Sequence, residues 1–292
     1  GKRILTMSSW QSDTIQTNGI RLHVTRTGGA KPPLVLAHGY SDDGLCWTPV
    51  AEELAMAYDV VMPDARGHGL SDAPDGDYGP LEQAADLAGV IEGLGLQRPI
   101  IVGHSMGALT ALTLAGRYPA LPGAIALEDP PPWWADDCVP PFGEEWQRQT
   151  RAWIVGLQQQ TAPEIIAAQR ARQPNWPSAE FEPWAAAKLR VHLNSLNRLA
   201  PLNINWPALL ASVQCPVLLM TAEPALGALV SARQAAALQD SVPQTRIIHF
   251  AEAGHSIRRD QFQGYMNVIH RFCATVTAST DLRMVWPMHH EA

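Results

Sequence analysis

Five residues, Gly103-His104-Ser105-Met106-Gly107, set a hydroxyl between two glycines where the chain changes character. Before them, Arg98-Pro99-Ile100-Ile101-Val102 is short, apolar and β-branched, the composition of a buried parallel strand. After them, Ala108 to Tyr118 is rich in Ala and Leu and meets Pro119, which predicts a helix with a proline stop. Gly-x-Ser-x-Gly at a strand-to-helix junction makes a nucleophile elbow. The turn is too tight for side chains at its flanks, so Ser105 is lifted clear of the sheet. The helix behind it aims backbone N–H groups and its positive dipole end at any oxyanion that forms there.

A serine hydroxyl attacks poorly until a base takes its proton, and the base then becomes an imidazolium that needs a negative partner. His255, in Ala253-Gly254-His255-Ser256, follows the last predicted strand, Thr245–Phe250. Strand C-terminal ends converge on the site in an open α/β sheet, so His255 is the expected base.

Further landmarks stand in order around these residues. The apolar run Pro33–Ala37 ends in His38-Gly39-Tyr40, and Asp59–Pro63 opens into Asp64-Ala65-Arg66-Gly67-His68-Gly69-Leu70-Ser71. Pro216–Thr221 is another strand. With these motifs the chain resembles the α/β-hydrolases over nearly its whole length. The resemblance implies an α/β fold with a mostly parallel eight-stranded sheet, helices on both faces and a helical cap inserted after strand 6. His38-Gly39-Tyr40 is similar to the family's oxyanion loop, which implies backbone donors at Tyr40 and Met106. His38, His68 and His104 resemble loop residues of their motifs, and Asp64 and Arg66 resemble structural members of theirs.

The acid departs from the commonest family pattern, which places an Asp in the loop after the strand ending at Thr221. That place holds Ala225 in Thr221-Ala222-Glu223-Pro224-Ala225-Leu226-Gly227. Some relatives, a branch of haloalkane dehalogenases among them, carry the acid at the end of the preceding strand, here Glu128-Asp129. Aligning Ala124–Leu127 with that branch puts Asp129 on the acid position, with Glu128 and Glu223 as alternatives.

The elements that must position these groups follow from pattern. Asn18-Gly19 between Thr14–Thr17 and Ile20–Thr27 predicts a hairpin, after a loose arm of residues 1–11. Helices are expected over Trp47–Tyr58 and Leu81–Leu94. At Asp129-Pro130-Pro131-Pro132 the chain turns Pro-punctuated and Gln/Arg/Ala-rich, with helical stretches at Glu144–Gln160, Ala162–Arg172 and Phe181–Leu199. The expected organisation is a core domain of residues 1–129 and 208–292 with a cap of residues 130–207. Seven of the ten tryptophans lie in that cap. Most read as its own core, while Trp133 and Trp134, straight after the strand beside the elbow, are candidates for an apolar substrate pocket. Beyond Thr275 no strong periodicity appears, and His289-His290 alone is weak evidence for a metal.

At 292 residues and 46% hydrophobic the chain can bury one large core. A net charge of −7 without basic blocks argues against nucleic acid, and no apolar run reaches the roughly 18–20 residues of a membrane span. Gly1–Met7 is too short and polar for a signal peptide, so a cytoplasmic protein is expected. The four cysteines make no Cys-x-x-Cys pair, and Cys215 and Cys273 sit in apolar surroundings as expected buried thiols. The expected activity is a serine hydrolase acting on a small or medium apolar carboxylic ester or lactone, with no cofactor and no metal. Perhydrolase, carbon–carbon bond hydrolase and amidase chemistry on the same side chains are the alternatives. A non-catalytic ligand receptor is the rival from another class, and a broken nucleophile, base or oxyanion loop would be its mark.

Overall fold

A computed structural model describes residues 10–138, 144–197 and 204–278. Strands β1 (Gln11–Thr17) and β2 (Ile20–Arg26) pair antiparallel around Asn18 and Gly19, whose φ of 47° and 77° let two residues close the hairpin. The remaining strands are β3 (Pro33–Ala37), β4 (Asp59–Pro63), β5 (Ile100–His104), β6 (Ala124–Glu128), β7 (Val217–Ala222) and β8 (Thr245–Phe250). All eight form one sheet in the order β1-β2-β4-β3-β5-β6-β7-β8, parallel from β4 through β8. Gln11 already belongs to β1, so the loose arm expected over residues 1–11 is shorter than that, and residues 1–9 lie outside the described part.

Strand periodicity sorts the core into two halves. Leu34, Leu36, Val60, Met62, Val102 and Met220 point to one face, where α1 (Thr48–Leu54) supplies Val50 and Leu54. Val35, Val61, Ile101, Ile125, Leu127 and Leu219 point to the other, against α2 (Pro80–Gly93) and α3 (Met106–Arg117). Alternation of two along buried strands requires apolar cover on both faces, and the helices provide it.

Between β6 and β7 the described residues contain helices and no strand: α4 (Glu144–Gln158), α5 (Ala162–Arg172), α6 (Phe181–Arg190) and α7 (Trp206–Ala211). A capping box closes α5, with Thr161 and Glu164 bonding each other's backbone N–H. The helix expected over Phe181–Leu199 stops at Arg190. There the chain is captured by the core: His192 N–H donates to Gly67 O at 2.8 Å, and Asn194 Nδ2 donates to Ala73 O at 3.0 Å. Val191 is therefore extended, and Leu193–Leu196 forms a single 3₁₀ turn. Similarly, Asp43 caps a 3₁₀ turn at Gly44–Trp47, so α1 begins only at Thr48.

The chain continues through α8 (Ala232–Ser241), β8, the one-turn α9 (Ile257–Asp260) and α10 (Phe262–Ala278). Helix α10 buries Tyr265, Met266, Ile269 and Phe272 against the sheet face shared with α1. It runs three residues past Thr275, where the sequence lost its periodicity; His289 and His290 lie outside the described residues. Among the described residues no helix is long and apolar enough to cross a membrane.

Candidate active site

Ser105 occupies the junction of β5 and α3 with φ 52° and ψ −115°, a strained left-handed conformation for a residue with a side chain. The flanking glycines explain the tight turn. A Cβ on Gly103 would lie 2.4 Å from Gly107 O, and one on Gly107 would lie 2.2 Å from Ala37 O. Neither position admits any other residue without moving backbone.

Ser105 Oγ lies 3.0 Å from His255 Nε2, and His255 Nδ1 lies 2.7 Å from Asp129 Oδ2. These three side chains, from the ends of β5, β6 and the loop after β8, thus form one hydrogen-bonded chain. Asp129 also has positive φ, 42°, and is fully buried. Its carboxylate accepts from Leu229 N–H at 2.8 Å and Val230 N–H at 3.1 Å. The loop after β7, which has Ala225 where an acid was looked for, contributes amide donors to the Asp129 carboxylate at the end of the neighbouring strand.

The alternatives lie elsewhere. Glu128 is one residue back, and its side chain points away from the imidazole. Its carboxylate accepts from Arg258 N–H at 3.0 Å and pairs with the Arg258 guanidinium at 3.2 Å. Burial pushes the Glu128 carboxyl up, against the pull of Arg258. Glu223 caps the short turn Pro224–Leu226 by accepting from Ala225 N–H.

Tyr40 and Met106 line the same cavity as Ser105 and His255. Met106 is the first residue of α3, so its N–H belongs to the helix's set without an intrahelical partner. Three histidines hold the surrounding loops in place. His38 Nδ1–H donates to Gly39 O at 2.8 Å, and its Nε2 accepts from Ala65 N–H at 2.9 Å. His68 Nδ1–H donates to Arg66 O, and its Nε2 accepts from Ser41 N–H at 3.1 Å. His104 Nε2–H donates to His255 O at 3.0 Å, fixing the backbone of His255. Asp64 accepts from the N–H groups of Gly44 and Leu70, and Arg66 is paired with Asp86 at 2.6 Å.

A buried ion network encloses this site, and no sequence motif signalled it. Asp42, beside the loop of Tyr40, contacts Lys188 of α6 at 2.6 Å, Arg259 at 2.9 Å and Arg258 at 3.3 Å. Arg259 also pairs with Glu180 at 2.9 Å. Burial alone would raise the Asp42 carboxyl, but Arg259, Lys188 and Arg258 outweigh it and hold it well below the usual carboxylate range. Three acids and three bases from four distant segments balance one another. Spacings of up to 217 residues leave no local pattern to detect.

Two of the loop histidines make stability depend on pH. Burial pushes His68 down to about 3 and His104 well below the ordinary imidazole value. In the unfolded chain each binds a proton near pH 6.5, while the folded protein does not. Stability is therefore full above that pH and declines as pH falls from about 6.5 toward 3, by up to about 1.4 kcal/mol per pH unit for each histidine. Below about pH 4 the loss steepens, because Asp42 begins to protonate in the unfolded chain but stays charged in the folded one. Urea unfolding at pH 7, 5.5 and 4 should show a falling midpoint; a flat midpoint would contradict it.

The cavity over Ser105 encloses about 610 Å³. Trp133 lines it, whereas Trp134 does not: it packs into the core on the α3 face, with Nε1–H donating to Gln234 O at 3.0 Å. The pocket expectation for Trp134 is therefore corrected; both tryptophans pack on that core, and of the two Trp133 also lines the cavity. Trp146, Trp153, Trp176 and Trp184 reach the cavity instead, although sequence favoured a packing role for most of them. Trp206 joins the core with α3. The expected buried thiols, Cys215 and Cys273, are buried, and burial pushes each up to about 12.

Comparison with known proteins places these features. A model of the alpha/beta hydrolase family matches residues 34–264. N-formylmaleamate deformylase of Pseudomonas putida is 29% identical over 272 residues, which is 86% of this chain and 92% of that protein. The crystal structure of the N-formylmaleamic acid deformylase from Pseudomonas putida S16 superposes with a TM-score of 0.74 at 26% identity, covering 89% of this chain and 100% of that one. Epoxide hydrolase 1 of Caenorhabditis elegans is 37% identical over 118 residues, but that match spans 39% of this chain and only 29% of that protein.

Proposed function

Since the chain belongs to the alpha/beta hydrolase family, we propose that it is a serine hydrolase that transfers an acyl group to water through an acyl-Ser105 intermediate. One observation carries the reading: Ser105 Oγ, His255 and the buried Asp129 carboxylate form one hydrogen-bonded chain opening into a cavity. His255 Nε2 takes the hydroxyl proton as Oγ attacks the acyl carbon. Asp129 stabilises the imidazolium through Nδ1–H. The oxyanion settles against the backbone N–H groups of Met106 and Tyr40, where one donor is typically worth about 2.7–4 kcal/mol of barrier. His255 then gives its proton to the leaving group and activates water for deacylation. Side chains and amides suffice, so no cofactor or metal enters.

In this reading residues 130–207 are a cap over a core of residues 1–129 and 208–292. The cap closes the cavity, and the substrate is a small or medium ester or lactone with apolar groups. A second reading, cleavage of an acyl–nitrogen bond, is favoured by the likeness to the deformylase over most of both chains. A Ser nucleophile sets either reading apart from relatives that attack with Asp. The test is a panel of esters, lactones and amides in single-turnover reactions beside fluorophosphonate labelling. Labelling without turnover of any of them would remove both readings of the bond.

If the cavity takes an apolar acyl chain, kcat/KM rises with chain length from acetate upward until the wall is met. About 0.8 kcal/mol per buried methylene corresponds to roughly fourfold per carbon. Equal rates from acetate to octanoate esters would show that the acyl chain stays in water.

A further inference from the structure

We infer that the cavity over Ser105 is built to receive an aromatic ring, so that the hydrolysed compound carries an aryl group within reach of the scissile bond. The inference deepens the function proposed above and rests on that cavity being the substrate site.

Aromatic side chains reach the cavity from five stretches of the chain. Tyr40 of the loop after β3 and Tyr78 just before α2 pack with Trp146 of α4, and Trp153 of the same helix also lines the cavity. Trp176, beside Arg259, stands with Trp184, and after β6 stands Trp133. Among the described residues, open-chain aliphatic lining is confined to Met106, Leu109 and Leu229. A pocket selected only for apolar character would be dominated by such side chains, as both halves of the main core are.

The polar handles of several rings are already committed to the protein. Tyr40 Oη bonds Ser195 Oγ at 3.1 Å, Tyr78 Oη–H donates to Pro74 O at 2.9 Å, and Trp176 Nε1–H donates to Asp260 Oδ1 at 3.0 Å. What these residues offer a ligand is therefore ring face and ring edge. Their orientations are also fixed. Trp176 crosses Trp184 edge-on at 6.4 Å between centroids, with the Arg259 guanidinium 4.9 Å from the Trp176 ring centroid. Lys188 Nζ, 4.7 Å from the Trp184 ring centroid, is held by Asp42. Rigid aromatic walls meeting at different angles accept a ring in stacked and edge-to-face contact at once, and each such contact is worth a factor of about two to twelve beyond the area it buries.

The test exploits a sign reversal. A cyclohexyl group presents more apolar surface than a phenyl group, so by area alone it binds at least as well. Aromatic walls reverse the order. In Ser105→Ala protein, 3-phenylpropanamide and 3-cyclohexylpropanamide are titrated with tryptophan fluorescence as the readout, independent of which bond the enzyme cleaves. In the wild type, kcat/KM is compared for ethyl 3-phenylpropanoate against ethyl 3-cyclohexylpropanoate, and for 2-phenylethyl against 2-cyclohexylethyl acetate. The remote ring leaves carbonyl reactivity matched within each pair.

The phenyl member should lead by about tenfold in binding and in at least one ester pair. Trp153→Leu should shrink that lead at least threefold; Trp153 is 38% exposed, so its replacement leaves no void in the core. Equal or tighter binding of the cyclohexyl amide, or no binding of either, overturns the inference. Preference for phenyl in binding with no turnover of any acyl compound would overturn the proposed reaction and leave the aromatic site standing.

Discussion

Replacement of Ser105 by alanine is expected to abolish covalent labelling by a fluorophosphonate and to lower hydrolysis at least about 10³-fold, with the fold intact. Only Oγ leaves, together with its 3.0 Å hydrogen bond to His255. Alanine carries a Cβ just as serine does, so the strain at φ 52° is unchanged, and no cavity opens in the core. The large factor reflects cooperation: without the nucleophile, His255 and Asp129 have no proton to move, and only binding and the oxyanion donors assist water. Ser256 and Cys138 line the same cavity, so mass mapping of the labelled peptide belongs in the measurement. Stoichiometric labelling of the variant at either one would transfer the role of nucleophile from Ser105.

Asp129→Asn is expected to lower kcat by about 10⁴, the size of the same change in a serine protease. The carboxylate accepts on both oxygens, from His255 Nδ1–H, Leu229 N–H and Val230 N–H. Asparagine has a single acceptor oxygen. Turned toward the loop amides, it presents NH₂ to His255 and forces the wrong tautomer; turned toward His255, it sets NH₂ against backbone N–H groups. Either way the charge that would stabilise the imidazolium is gone. Glu223→Gln, at a turn cap, should change kcat by less than about threefold, since such caps contribute about 1 kcal/mol of local stability. Glu128→Gln should act on stability, because it removes one of the two carboxylates, Asp42 being the other, that balance the buried Arg258. A crippled Glu223→Gln enzyme beside a nearly silent Asp129→Asn enzyme would return the acid to the loop after β7.

The two acid alternatives show where local pattern ends. Glu128 and Asp129 are neighbours of the same charge at the end of one strand; the resemblance to one branch of relatives favoured Asp129, but the local pattern does not say which of the two faces His255. The choice is made by the pleat of β6 and by what lies across each face, Arg258 on one side and His255 with the amides of Leu229 and Val230 on the other. Trp133 and Trp134 differ for the same reason: both pack on the core, and of the two Trp133 also lines the cavity. The end of α6 was hidden for a related reason, since Gly67 O, 125 positions earlier, captures His192 N–H and stops a helix whose own residues would continue it.

By itself the sequence determined the features whose causes are local. Buried parallel strands read as short apolar runs because both their faces are covered, and Ile100–His104 and Ala124–Glu128 match such runs closely. Asn18-Gly19 read as a hairpin because those residues tolerate positive φ, and Gly103 and Gly107 read as an elbow because no side chain fits beside Ser105. Tertiary structure alone decided what depends on groups far apart in the chain. It brought Ser105, Asp129 and His255 into one hydrogen-bonded line, and it balanced Asp42, Glu128 and Glu180 against Lys188, Arg258 and Arg259. It also gathered rings from five segments around one cavity. Spacing along the chain carries no trace of such pairings, because a buried charge or ring needs a partner in space and is indifferent to the length of chain between them.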